Sequence, residues 1–224
     1  KSTDVFLEYA EGETLDKLIR NGNVSFENLL SIWAQLSIAI EYAQDFCGFM
    51  HMDMNPWNIV IQKKKSSFQF PKRKITVESN FTPVLIDYGN SHVSDNGYHF
   101  YNTTPFYLNS IGDIVVMVIS SLDIFLSKVT IANGKPSKQL FAIMKFIQEC
   151  FHEKMPNFQN IKSIKSFLKR NKNFSTLLAH NKNLKQIHPY TFVEFLIDNN
   201  MVPDLQIKKH SSYAQSNMPK IFVA

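Results

Sequence analysis

The chain has 224 residues, 44% of them hydrophobic and 19% charged, with a formal net charge of +5. Such a length buries a sizeable core without disulfide or metal staples, and such a composition excludes an intrinsically disordered or collagen-like chain. One domain is the default, and Cys47 and Cys150 lie too far apart in sequence to make a paired metal or redox motif, which points to a reducing, intracellular compartment.

Asp4 to Ala10 is a β-type run closed by Glu11-Gly12, and Thr14 to Ile19 has the spacing of a short helix. From Ser25, placed to cap it, a longer helix carries Leu29, Trp33, Leu36, Ile40, Ala43 and Cys47 along one face and ends at Gly48. A polar loop, His51 to Asn58, leads into the β-branched run Ile59-Val60-Ile61. The basic stretch Lys63, Lys64, Lys65, Lys72, Arg73 and Lys74 has no interleaved base-stacking motif, so it reads as a solvated loop rather than a nucleic-acid surface. Strands are expected at Ile75 to Val77 and at Val84 to Ile86, the second ending in Asp87-Tyr88-Gly89.

Ile111 to Leu126 is too short for a bilayer span and contains Asp113 and Asp123, so it reads as a buried helix, and no membrane partner is expected. Further helices are expected over Lys138 to Phe151, Ile161 to Lys169 and Tyr190 to Asn199, with the tail after Pro203 unassigned. Asn-x-Ser/Thr triplets begin at Asn23, Asn80, Asn102 and Asn173, but Asn-rich sequence produces them by chance, and they carry little weight as glycosylation sites.

Two strand or loop ends thus present polar residues: His51-x-Asp53-x-x-x-x-Asn58 between a helix and a strand, and Asp87-Tyr88-Gly89 after another strand. Carboxylates and amide carbonyls are the oxygen ligands magnesium prefers, and phosphoryl transfer needs cations on the phosphates and an acceptor hydroxyl held in line. Singly, each motif reads as a turn with a capping aspartate; it is their order and spacing that carry the reading. Asp113, inside an apolar helix, needs hydrogen-bond donors, and it also suits the positive end of a helix dipole.

In this order and spacing the motifs resemble those of protein kinases, from Phe6 to about Leu122 and, more loosely, to Tyr190-Thr191-Phe192-Val193-Glu194-Phe195-Leu196. The resemblance implies an α+β, mainly α fold: a protein-kinase-like C-terminal lobe over residues 1–202, with strand and hinge at 1–12, and a tail at 203–224. It implies ATP and Mg2+ as cofactors and a protein substrate. Asp53 would accept or orient the hydroxyl proton, Asn58 and Asp87 would hold the metal ions, and His51 would pack beneath the loop. Gly89 would turn the backbone away after the metal ligand, and Asp113 would accept hydrogen bonds from the loop backbone. Phe6 to Gly12 looks like the hinge, where the Glu8 carbonyl and Ala10 amide would read adenine above Val60, with Glu13 or Asp16 reaching the ribose.

The sequence also departs from that pattern. No glycine-rich loop, paired lysine or positioning glutamate lies among the five residues before Phe6, so the chain looks like a fragment whose N-terminal lobe is encoded upstream in the same gene, or a degenerate relative. A pseudokinase or scaffold fits the missing lysine. A small-molecule kinase of the aminoglycoside or choline type shares the Asp-to-Asn spacing and fits the short segment before Asp113. Met52 replaces a common arginine, Asn55 stands where serine/threonine kinases usually have lysine, and Thr104 to Leu108 is similar to the peptide-binding stretch. The motif wording looks most like that of divergent kinase-like proteins of large DNA viruses, which implies the host cytoplasm or the virion.

Overall fold

The computed structural model describes residues 9–70, 73, 75–95, 97–100, 109–128, 134–151, 157–172, 187–202 and 206–209. Helix α1, Leu15–Asn21, begins where the Thr14 hydroxyl accepts from the Lys17 amide and ends at left-handed Gly22. Helix α2, Phe26–Cys47, starts where the Ser25 hydroxyl accepts from the Asn28 amide at 3.1 Å and stops at Gly48, φ 56°. Its first half is buried almost all round, from Leu29 to Ile38, as is α3, Gly112–Ser127, so these two helices form the centre of the core.

Helices α4, Lys138–Cys150, α5, Ile161–Asn171, and α6, Pro189–Asp198, are amphipathic and cover that centre. Helix α5 packs on α3 and α6 packs on α2. Phe146 of α4 meets Phe192 and Phe195 of α6 at ring separations of 5.0 and 4.9 Å. Their burial, rather than helix propensity, holds such short helices in place.

The strands form small antiparallel sheets beside the helices. Strands β1, Glu13–Thr14, β2, Ile59–Gln62, and β5, Thr82–Leu85, lie in the order β1-β2-β5, with Ile59 opposite Leu85 and Val60 opposite Val84. Between them in sequence, β3, Ser66–Phe70, and β4, Ile75–Ser79, make a hairpin whose other edge receives β8, Gln206–Lys209. Strands β6, Val93–Asp95, and β7, Tyr98–Phe100, pair separately. The architecture is a mixed α/β arrangement in which helices carry the core. Among the described residues no helix is long and apolar enough to cross a membrane.

Three sequence expectations change here. Tyr9 and Ala10 belong to no strand, and residues 4–8 lie outside the described residues. The stretch read as a solvated loop is partly the β3–β4 hairpin: Lys63, Lys64 and Lys65 are exposed at its start, but Arg73 is anchored, and Lys72 and Lys74 lie outside the described residues. The tail contributes strand β8, whose short run, Gln206-Ile207-Lys208-Lys209, carries little strand signal of its own and is held by pairing with β4.

Arg73 is anchored by Glu41, a carboxylate buried in the middle of α2 that also accepts from the Tyr190 amide of α6 at 3.3 Å. The guanidinium sits 4.6 Å from the centre of the Tyr190 ring. One buried carboxylate therefore ties hairpin and α6 to the central helix. Arg73→Ala is expected to destabilise the fold by about 2 kcal/mol in urea denaturation, because it strips a buried charge of its partner, whereas Glu41→Leu combined with Arg73→Leu recovers most of that loss.

Candidate functional site

The site begins where α2 ends. Gly48 is left-handed, and a Cβ there would come within 2.3 Å of the Ser94 hydroxyl, so the chain passes close under β6 as only glycine can. Met50 and His92 then exchange backbone hydrogen bonds of 2.9 and 2.8 Å, which fixes the entry to the loop at His51.

The loop is held from behind by α3. Asp113, in the first turn of that helix, is fully buried; its Oδ2 accepts from the His51 amide at 2.7 Å and its Oδ1 from the Met52 amide at 2.9 Å. Burial pushes the Asp113 carboxyl above its ordinary range, while the His51 imidazole and the two amides pull it back. Met52 has φ 65°, a left-handed conformation that a bulky side chain rarely adopts, and its side chain is buried. The carboxylate satisfies the amides of that strained turn, so the strain persists.

Asp53 follows, half-buried, with both carboxylate oxygens engaged. The Asn55 amide nitrogen donates to Oδ1, and the Asn58 amide nitrogen donates to Oδ2 at 3.1 Å and to the Asp53 carbonyl at 3.0 Å. Asn58 closes a short 3-10 turn, Pro56–Asn58, and its amide nitrogen is committed to Asp53, which leaves the carbonyl end of the amide for another partner.

Asn58 also joins this loop to the second one. Its carbonyl accepts from the Ile86 amide at 3.0 Å, while the Ile86 carbonyl meets His51 Nε2 at 3.1 Å. A carbonyl can only accept, so His51 carries its proton on Nε2. His51 is fully buried and lies against the rings of Tyr88 and Phe49, at 5.4 and 6.3 Å. Asp87, one residue beyond Ile86, is exposed and left-handed at φ 61°, and its Oδ1 accepts from the Gly89 amide at 3.4 Å. The backbone thus turns at Asp87 itself and not at Gly89, whose φ is not positive; an aspartate tolerates this because its carboxylate bonds its own turn.

The structure brings Asp53, Asn58, Asp87, His51, Gly89 and Asp113 onto two laced loops and the helix behind them. Of the other candidates, Val60 lies on β2 and Glu13 on the strand beside it. Val60 is buried between Thr14 and Val84, and Gly12 passes so close that a Cβ would sit 2.4 Å from the Ile61 carbonyl oxygen. Ala10 is half-buried; Glu8 and Thr104 to Leu108 lie outside the described residues. Glu13 pairs with Ile61, and Asp16 is engaged by Arg20 at 2.8 Å. Among the described residues no group of three or more His, Cys, Asp or Glu is placed to hold a metal ion. The donors at the two loops, an amide carbonyl and an exposed carboxylate, are hard oxygens of the kind that suit magnesium beside phosphates.

Two polar residues at the site escaped the sequence reading. In sequence Asn55 stands out only as a departure from the kinase pattern, and Ser120, whose hydroxyl lies 2.9 Å from Asn55 Oδ1, sits in an otherwise apolar helix. A signal existed: Ser120 lies about two turns beyond Asp113, on the same face of α3.

No family model matches the chain. Over 103 residues it is 38% identical to a protein of Invertebrate iridescent virus 6 named "Uncharacterized protein 179R", covering 41% of this chain and 9% of that one. It is 28% identical over 149 residues to "Uncharacterized protein 035R" of Invertebrate iridescent virus 3, covering 60% and 13%. It is 29% identical over 96 residues to "Probable kinase 098L" of the same virus, covering 42% and 18%. The chain thus spans less than a fifth of the length of each of these relatives.

Removing the carboxylate behind the loop has a calculable consequence. Asp113→Ala leaves two buried amides without an acceptor and is expected to cost about 3 kcal/mol in urea denaturation, with Asp113→Asn, one amide oxygen for two donors, falling between. The β6 hairpin adds a pH dependence. His92 is buried, its Nδ1 3.1 Å from the Gly48 carbonyl and its Nε2 3.0 Å from His99 Nδ1. Burial lowers its pKa below the ordinary 6.5, the Gly48 carbonyl opposes this and His99 adds to it. The unfolded chain therefore takes up the proton first, so stability from His92 is present above pH 6.5 and is lost as pH falls through the folded value. The stability difference between wild type and His92→Gln is expected to narrow as the pH is lowered below 6.5.

Proposed function

We propose that the chain is the kinase-like C-terminal lobe of an ATP- and magnesium-dependent kinase that transfers phosphate to a protein hydroxyl. The observation that carries this reading is the pair of laced loops: Asp113 fixes the His51–Met52 backbone, and the Asn58–Ile86 bond sets Asp87 beside the loop that bears Asp53. The relative named as a kinase supports the same class, and the viral source of the relatives supports a role inside an infected cell or in the virion.

In this reading Asp53 orients the acceptor hydroxyl. Two amides fix its carboxylate, so its remaining lone pairs face the acceptor in one direction. The Asn58 carbonyl oxygen and the Asp87 carboxylate would hold magnesium, which when bound neutralises charge on the transferred phosphate. His51 packs between the loops and bonds Ile86, so it supports the site and does not act as a base. The Ala10 amide, the Glu8 carbonyl and the Val60 side chain would receive the adenine.

The test is label transfer from ATP by the protein at its full natural length, with and without magnesium, to protein acceptors and to small alcohols side by side. Asp87→Asn is expected to reduce transfer by about 100-fold or more, and Asp53→Ala to lower kcat while leaving the KM for ATP within about twofold. Transfer to small alcohols alone would move the reading to a small-molecule kinase. Tight ATP binding without turnover would make the protein a binding module, and full activity in Asp87→Asn would overturn the metal assignment.

A further inference from the structure

We propose that Asn55 is a positioning residue for the Asp53 carboxylate and that Ser120 of α3 sets the Asn55 amide in turn; the inference rests on the role of Asp53 in the kinase reading. Asn55 is buried, at 4% exposure, and both ends of its amide are used. Its nitrogen donates to Asp53 Oδ1, and its oxygen accepts from the Ser120 hydroxyl at 2.9 Å. Flipping the amide would set its oxygen against a carboxylate oxygen, so Asp53 selects one orientation, and in it the Asn55 oxygen is the atom that faces the Ser120 hydroxyl.

With Asn58 on Oδ2, the Asp53 carboxylate is held at two points, one on each oxygen. Rotation about its last torsion would break both bonds together. An aspartate that must meet a hydroxyl in line gains from such a hold, since a small misplacement of a reacting group costs rate far more than it costs stability.

The anchor at the far end is itself fixed. Ser120 is buried and has one hydroxyl proton facing two acceptors, Asn55 Oδ1 and the Lys172 carbonyl at 3.0 Å. The Lys172 ammonium lies 3.4 Å from the Asp123 carboxylate one turn further along α3, so the end of α5 is pinned at Ser120 and again at Asp123. The same face of α3 therefore acts on the loop twice. Asp113 sets its backbone, and Ser120, through Asn55, sets the Asp53 side chain.

Asn55→Asp is the informative variant, because it preserves volume and the acceptor for Ser120 while replacing the donor to Asp53 by an oxygen. In the full-length protein, assayed by label transfer from ATP to protein and small-alcohol acceptors, Asn55→Asp is expected to lower kcat by roughly tenfold or more with the KM for ATP within about twofold. Ser120→Ala is expected to lower kcat by about threefold, and the double variant to be no worse than Asn55→Asp alone, since Ser120 acts through Asn55. Losses that multiply in the double variant would overturn the relay. Crystal structures of the same proteins supply a readout that needs no turnover: in Asn55→Asp the Asp53 carboxylate is expected to turn out of its wild-type position. A carboxylate that stays in place would overturn the proposal whether or not transfer is detected. Absence of magnesium-dependent transfer in the wild type would overturn the kinase reading instead, and the structural comparison would still decide the hold on Asp53.

Discussion

The site depends on one buried carboxylate. Asp113 has no exposure to water, and an ionised group there is tolerated because it accepts from two backbone amides that themselves have no other partner in the turn. Each side of this arrangement needs the other. Without the amides the carboxylate would be an unpaired buried charge, and without the carboxylate the Met52 turn, left-handed at φ 65°, would lose the bonds that offset its strain. The consequence reaches outward through His51, whose ring bonds Ile86 and so fixes the strand end that leads to Asp87.

A second buried carboxylate works on α2 itself. Glu41 gathers Arg73 from the β3–β4 hairpin and the Tyr190 amide from α6 onto the central helix. The two differ in what they hold. Glu41 joins whole elements, with a guanidinium to share its charge, whereas Asp113 fixes the backbone of the two loop residues His51 and Met52 through neutral amides. Burial of apolar surface supplies the stability in both places, and the polar groups choose which arrangement is stable.

Much of this was legible in the sequence because the signals were local. Ser25 and Gly48 bracket α2 as a cap and a left-handed stop, and the apolar run of α3 with one aspartate in its first turn required donors for that aspartate. What was not legible depends on partners distant in sequence. The β8 strand has no pattern of its own and is selected by the free edge of β4; Arg73 sits in a basic run, and only the fold brings Glu41 to it. The resemblance implies a turn at Gly89, but the Asp87 carboxylate, accepting from the Gly89 amide, lets the aspartate take the left-handed position. Asn55 and Ser120 were hidden for the same reason: two ordinary polar residues become a constellation only once α3 lies behind the loop.

Met52 shows what kind of loop this is. An arginine in its place would look to an anion elsewhere in the chain to hold the loop, and the loop's shape would then follow the state of that partner. Met52 is instead buried at 3% exposure, so its side chain adds to the core and its amide is served by Asp113. Among the described residues, every hydrogen bond to the His51–Asn58 loop comes from the loop itself, from α3 or from the Ile86–Ser91 segment. Among the described residues, the hydrogen bonds that set the geometry around Asp53 therefore run within the loop, to the helix behind it and to the neighbouring strand end, and the Met52 side chain adds apolar packing where an arginine would add a charge.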